Sequence, residues 1–78
     1  MNIKWDKPKT FKNWKYFYLI QYLSKNKKYA IEIYIYYDKK ELIEAQCVTF
    51  PRKTLAKGFF KQKSVALQSC KQFFKDKK

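Results

Sequence analysis

The stretch Tyr29-Ala30-Ile31-Glu32-Ile33-Tyr34-Ile35-Tyr36-Tyr37 decides the fold. Ile31, Ile33 and Ile35 fall on one side, and Glu32, Tyr34 and Tyr36 on the other. A period of two in β-branched and aromatic residues predicts a half-buried strand. Upstream, Ser24-Lys25-Asn26-Lys27-Lys28 is short and polar, as a hairpin turn is. Before it, residues 14–23 are rich in aromatics and suit a second strand. A helix starting at Thr10, with Phe11, Trp14, Tyr18 and Gln21 on one face, is the competing reading. Downstream, Asp38-Lys39-Lys40-Glu41 predicts the next turn. Residues 42–50 return as a third strand that ends at Pro51, which lacks the amide a ladder needs.

Residues 51–58 read as a basic connection carrying Arg52, Lys53 and Lys57, with Thr54–Lys57 as an optional short edge strand. A helix is predicted from about Lys61 to Lys75. Ala66, Cys70 and Phe73 lie at i, i+4 and i+7, flanked by Leu67 and Phe74, an apolar stripe wide enough to cover one side of a small sheet. The expected class is therefore α+β: a three-stranded antiparallel sheet packed against one C-terminal helix. Residues 1–13, with Lys4, Lys7, Pro8, Lys9 and Lys12, read as an extended basic arm. Residues 14–76 form the single domain and residues 77–78 a basic tail.

Length supports this single small core and no more: the chain has 78 residues. Its 19 Lys and Arg against 6 Asp and Glu give a net charge of +13, and the aromatic share of 21% argues against disorder. The bias toward Lys, Ile, Tyr, Asn and Phe suits AT-rich coding. It does not account for the scarcity of Glu, found only at Glu32, Glu41 and Glu44. The charge imbalance points to a polyanionic partner. The start of the chain has no apolar run of the kind a signal peptide needs, so a cytoplasmic protein is expected. Cys47 and Cys70 read as packed thiols in a reducing compartment, although geometry would permit a disulfide.

Enzymatic chemistry finds little support. Without His there is no His-based triad and no near-neutral proton shuttle. Two Cys without His cannot build a four-ligand zinc site, and one Gly cannot form a phosphate-cradling loop. Glu32, Glu41 and Glu44 read as surface carboxylates paired with Lys rather than as Mg²⁺ ligands. No catalytic residue, metal or cofactor is expected.

Two sets of residues suggest binding. Tyr34 and Tyr36, bracketed by Lys28 and Lys39, suit base stacking on an open sheet face. Arg52, Lys53, Lys57, Lys61 and Lys63 lie where a basic loop meets a helix N-terminus, which favours phosphate. The segment Gly58-Phe59-Phe60-Lys61-Gln62-Lys63-Ser64-Val65-Ala66, continuing to Cys70, resembles the strand-to-helix junction of the arm-binding domains of tyrosine integrases. That resemblance implies a three-stranded sheet entering a DNA major groove. The same stretch resembles the last helix of double-stranded RNA-binding domains, which implies phosphate contact by Lys63 and close packing at Ala66 and Cys70. Ser64 stands where the RNA-binding family has a second Lys, and Phe60 where it has Gly.

The expectation is thus a small basic nucleic-acid-binding protein, for DNA or RNA. It would be driven by phosphate contacts with modest sequence preference, because only Arg52 suits bidentate guanine contact. Its size and composition suit a phage or mobile-element regulator. The alternative is an interaction or inhibitor protein that offers an acidic protein partner an aromatic and Lys surface. A homodimer would cover the open sheet face. A membrane partner is disfavoured, because the best periodic segment is a strand and no apolar stretch is long enough to span a bilayer.

Overall fold

A computed structural model describes residues 2–39 and 42–77. Five strands, β1 (Lys9–Phe11), β2 (Phe17–Leu23), β3 (Tyr29–Tyr36), β4 (Ile43–Thr49) and β5 (Lys53–Phe60), precede one helix, α1 (Lys63–Asp76). The strands form one antiparallel meander in chain order. The α+β class and C-terminal helix are as the periodicity predicts, but the sheet has five strands instead of three.

The two additional strands lie at the edges. In the expected basic arm, Lys9–Phe11 pairs with Leu19–Gln21, and Trp5 bridges Ser24. The lead-in is therefore part of the sheet. The expected basic connection is β5, which is longer than the optional Thr54–Lys57 strand. Its alternation is interrupted by a bulge: Cys47 pairs with Ala56 but Val48 pairs with Thr54, so Leu55 is extra. Residues 17–23 are strand, not the competing helix.

The central register places Ile20 beside Ile33 and Ala45, and Tyr22 beside Ile31 and Cys47. These residues face α1. Ala66, Cys70 and Phe74 form the helix's buried row, at steps of four, with Leu67 and Phe73 on its flanks. Phe74 thus takes the central place that the sequence spacing assigns to Phe73. The small side chains of Ala66 and Cys70 let the helix approach the sheet closely. Phe74 then fills the wider end, its ring centre 5.4 Å from those of both Trp5 and Tyr29.

Cys47 and Cys70 are free, buried thiols between β4 and α1. The Cys47 Sγ lies 4.0 Å from the Cys70 carbonyl oxygen. Its contact with the Cys70 thiol and its burial both push the Cys47 thiol well above the ordinary range. Both thiols are shut away between sheet and helix, so the native protein is expected to react with an aromatic disulfide reagent at least about tenfold more slowly than the urea-unfolded chain. Comparing the two rates by absorbance checks this. Rapid labelling of the folded protein would contradict the packing.

Two turns shape the end of the sheet face opposite α1. In the β2–β3 turn, the Ser24 amide donates to the Tyr29 carbonyl at 2.9 Å, and the Ser24 hydroxyl accepts from the Tyr29 amide at 3.0 Å. Lys27 closes this turn with φ 64°, in the left-handed region. The Phe50 amide donates to the Lys28 carbonyl at 3.0 Å, which brings the β4–β5 turn alongside the first. The Phe50–Pro51 bond is cis. In the expected β3–β4 turn, Lys40 and Glu41 lie outside the described residues, so the Glu41 carboxylate assignment does too.

Candidate functional site

Helix α1 covers one face of the sheet. Among the described residues, no strand or helix covers the other. Strand alternation places Phe17, Leu19 and Gln21 of β2 on this open face, with Glu32, Tyr34 and Tyr36 of β3. Glu44 and Gln46 of β4 and Lys57 and Phe59 of β5 continue it.

At its centre, Glu32 is only 2% exposed. Arg52 reaches back from the β4–β5 turn and donates to both carboxylate oxygens, Nη1 to Oε2 at 3.0 Å and Nη2 to Oε1. Gln21 Nε2 donates to Oε2 at 3.1 Å, and the Tyr34 hydroxyl donates to Oε1 at 2.9 Å. Burial pushes the Glu32 carboxyl up, but the bonds from Arg52, Tyr34 and Gln21 outweigh it and leave the group below the ordinary value of 4.5. Burial and the neighbouring Glu32 charge push Tyr34 up to about 12. The bond to Glu32 raises Arg52 further. Glu44 sits in a second set of contacts. Gln46 Nε2 donates to it at 2.7 Å, the Tyr36 hydroxyl at 3.5 Å, and Lys57 Nζ lies 3.9 Å away. Burial first, then the Glu44 charge, raises Tyr36.

The structure distributes the sequence-predicted site residues over three places. Lys28, Arg52 and Lys53 stand together at one end of the sheet, where the β2–β3 and β4–β5 turns meet. Lys4 joins them through the bond from the Lys25 amide to its carbonyl, 2.9 Å. Tyr34, Tyr36 and Lys57 lie on the open face. Lys39, Lys61 and Lys63 stand at the opposite end. The expected cluster Arg52, Lys53, Lys57, Lys61 and Lys63 is therefore not a cluster. Strand β5 runs between its members, and at about 3.3 Å per residue Lys53 and Lys61 are roughly 25 Å apart. Lys57 also points away from the helix. Tyr34 is half-buried and hydrogen-bonded rather than free to stack.

The sequence reading did not place two exposed rings in this face. Trp14 and Phe59 are 42% and 55% exposed. Trp14 stands next to Lys15 just before a strand, a signal the sequence did offer, whereas Phe59 sits between Gly58 and Phe60 and had none of that kind. Among the described residues, no group of three or more Cys, Asp and Glu is arranged to hold a metal ion. No helix among them is long and apolar enough to cross a membrane. Comparison of the chain with protein families, curated proteins and solved structures returns no match. The reading of its function therefore rests on its own geometry: a small α+β domain with one open, aromatic, lysine-rimmed face.

Proposed function

We propose that this chain is a small, non-enzymatic nucleic-acid-binding protein, held chiefly by phosphate contacts and reading sequence only modestly. The observation that carries the proposal is the net charge of +13, together with the way the acidic groups are held. Glu32 is paired with Arg52, Asp6 with Lys27 at 2.8 Å, and Glu44 lies near Lys57. Among the described residues, Lys28, Lys53, Lys61, Lys63 and Lys71 enter no ion pair. Their charge is available to a polyanion. Arg52, the single side chain suited to bidentate guanine contact, already spends its fork on Glu32, which supports phosphate-driven binding.

The test is fluorescence anisotropy with duplex DNA, duplex RNA and their single-stranded forms at low and near-physiological salt. Micromolar or tighter binding that persists at the higher salt is expected. If six phosphates are engaged on duplex DNA, the logarithmic salt slope is about −5. Loss of binding to all four ligands at near-physiological salt would overturn the proposal. An acidic protein partner whose complex survives about 0.5 M salt would favour the interaction-protein alternative, since phosphate contacts weaken steeply with salt.

A further inference from the structure

One aromatic strip crosses the open face, with rings from β2, β3 and β5 and from the segment before β2. Trp14 stacks on Phe17, ring centres 4.9 Å apart and planes 12° from parallel. Phe17 meets Tyr36 at 5.5 Å. Tyr36, Leu42, Glu44 and Phe59 then line a groove of about 280 Å³ beside Lys39. Pairing of Phe17 with Tyr36, and of Tyr34 with Glu44 and Glu44 with Phe59, makes the strip cross the strands instead of following one. Its two ends, Trp14 and Phe59, are its most open members.

Charge along the strip is ordered. Glu44 lies in its floor, 9% exposed and held by Gln46 and Tyr36, with the Lys57 Nζ 3.9 Å away. The lysines stand at its rim, with Lys57 Nζ 5.6 Å above the Phe59 ring. A phosphate over the floor meets the Glu44 carboxylate, whereas a phosphate at the rim meets Lys39 or Lys57. A ligand matching both conditions presents flat, uncharged rings to the centre and negative charge to the edge. Duplex nucleic acid keeps its base faces stacked inside the helix and offers none to the rings. An unpaired strand offers them, and aromatic stacking with lysine contacts along the backbone is how such strands are held.

We infer that the strip binds single-stranded nucleic acid, with bases on Trp14, Tyr36 and Phe59 and phosphates along Lys39 and Lys57. The inference rests on the nucleic-acid reading above and narrows it to one strand and one face.

The experiment titrates the full chain with a short oligothymidylate, a duplex of equal length and an abasic oligonucleotide of equal charge, at about 0.15 M salt, where phosphate attraction alone is weakened. Anisotropy and tryptophan emission are read together. Oligothymidylate is expected to bind at least about tenfold more tightly than the abasic strand and to quench emission, and the quench is expected to shrink in Trp14→Phe. Trp14→Ala and Phe59→Ala are each expected to weaken it by about 5- to 150-fold. Both positions are exposed, so these variants fold, and their duplex affinity is expected to change by less than about twofold. Equal binding of oligothymidylate and the abasic strand, unmoved by either variant, would overturn the inference while leaving phosphate-driven binding intact. Failure of all three ligands to bind would remove both readings. Sedimentation showing a dimer that Phe59→Ala dissociates and oligothymidylate does not would assign the strip to a second copy of the chain, and would also overturn it.

Discussion

Phe74→Ala is expected to lower the thermal midpoint by roughly 15–35 °C. The side chain is 1% exposed and forms the wide end of the helix's buried row, against Trp5 and Tyr29. Truncating a buried Phe costs about 3–5 kcal/mol, the transfer term plus the cavity left behind. A chain of this size has roughly 4–12 kcal/mol in total, at about 0.05–0.15 kcal/mol per residue. Each kcal/mol moves the midpoint of so small a domain by about 4–8 °C. Circular dichroism melts of the parent, Phe74→Ala and Phe73→Ala provide the check. The flanking Phe73 is only partly buried, so its variant is expected to melt well above that of Phe74. Equal midpoints for the two variants would show that the helix is anchored elsewhere.

Arg52→Ala is expected to cost about 2–3 kcal/mol at neutral pH. A fully buried pair loses about 3–5 kcal/mol when one partner is removed, and half of the Arg52 side chain is in water, which reduces the effect. The pH dependence separates this loss from simple loss of packing. In the parent, Glu32 titrates below 4.5 when folded. Its contribution is therefore complete above the unfolded value and disappears as pH falls through the folded one. Without Arg52, burial is opposed only by the Tyr34 and Gln21 bonds, so the folded value rises above the parent's and the charged group contributes less at neutral pH. Acidification then weakens the parent more than the variant, and the gap between them should narrow between pH 7 and about pH 3.5. Urea unfolding at several pH values measures the gap. A second change, Glu32→Gln in the Arg52→Ala background, is expected to recover part of the loss at neutral pH. A gap independent of pH, with no recovery, would contradict this account.

Legibility in the sequence followed regularity. Strand β3 could be read because its isoleucines alternate without interruption, and α1 because Ala66 and Cys70 keep helical spacing. The choice between Phe73 and Phe74 was not legible. It depends on a gap bounded by Trp5, which bridges Ser24 beyond the end of β2, and Tyr29, at the start of β3, 24 positions later in the chain. Strand β1 is three residues long and follows Pro8, too short to show a period. Strand β5 hid behind its bulge: Leu55 and Ala56 both turn inward, so Lys53–Phe60 shows no clean alternation. The open face was legible as a face but not as a site. Glu32 looked like a surface carboxylate because the residue that buries it, Arg52, lies 20 positions away. Trp14 gave no period because it precedes β2.

The margins of the sheet have a consequence for self-association. A strand at a sheet margin has unpaired amides and carbonyls that can recruit another chain, and this protein is rich in β-forming residues. Its first margin, β1, is three residues long, follows Pro8 and begins with Lys9. Its last, β5, is bent by the bulge at Leu55 and carries Lys53 and Lys57. Shortness, proline, lysine and a bulge are the features by which natural sheets refuse an incoming strand. Both margins therefore disfavour fibre-like growth by strand addition, and the geometry of the edges works in the same direction as the charge.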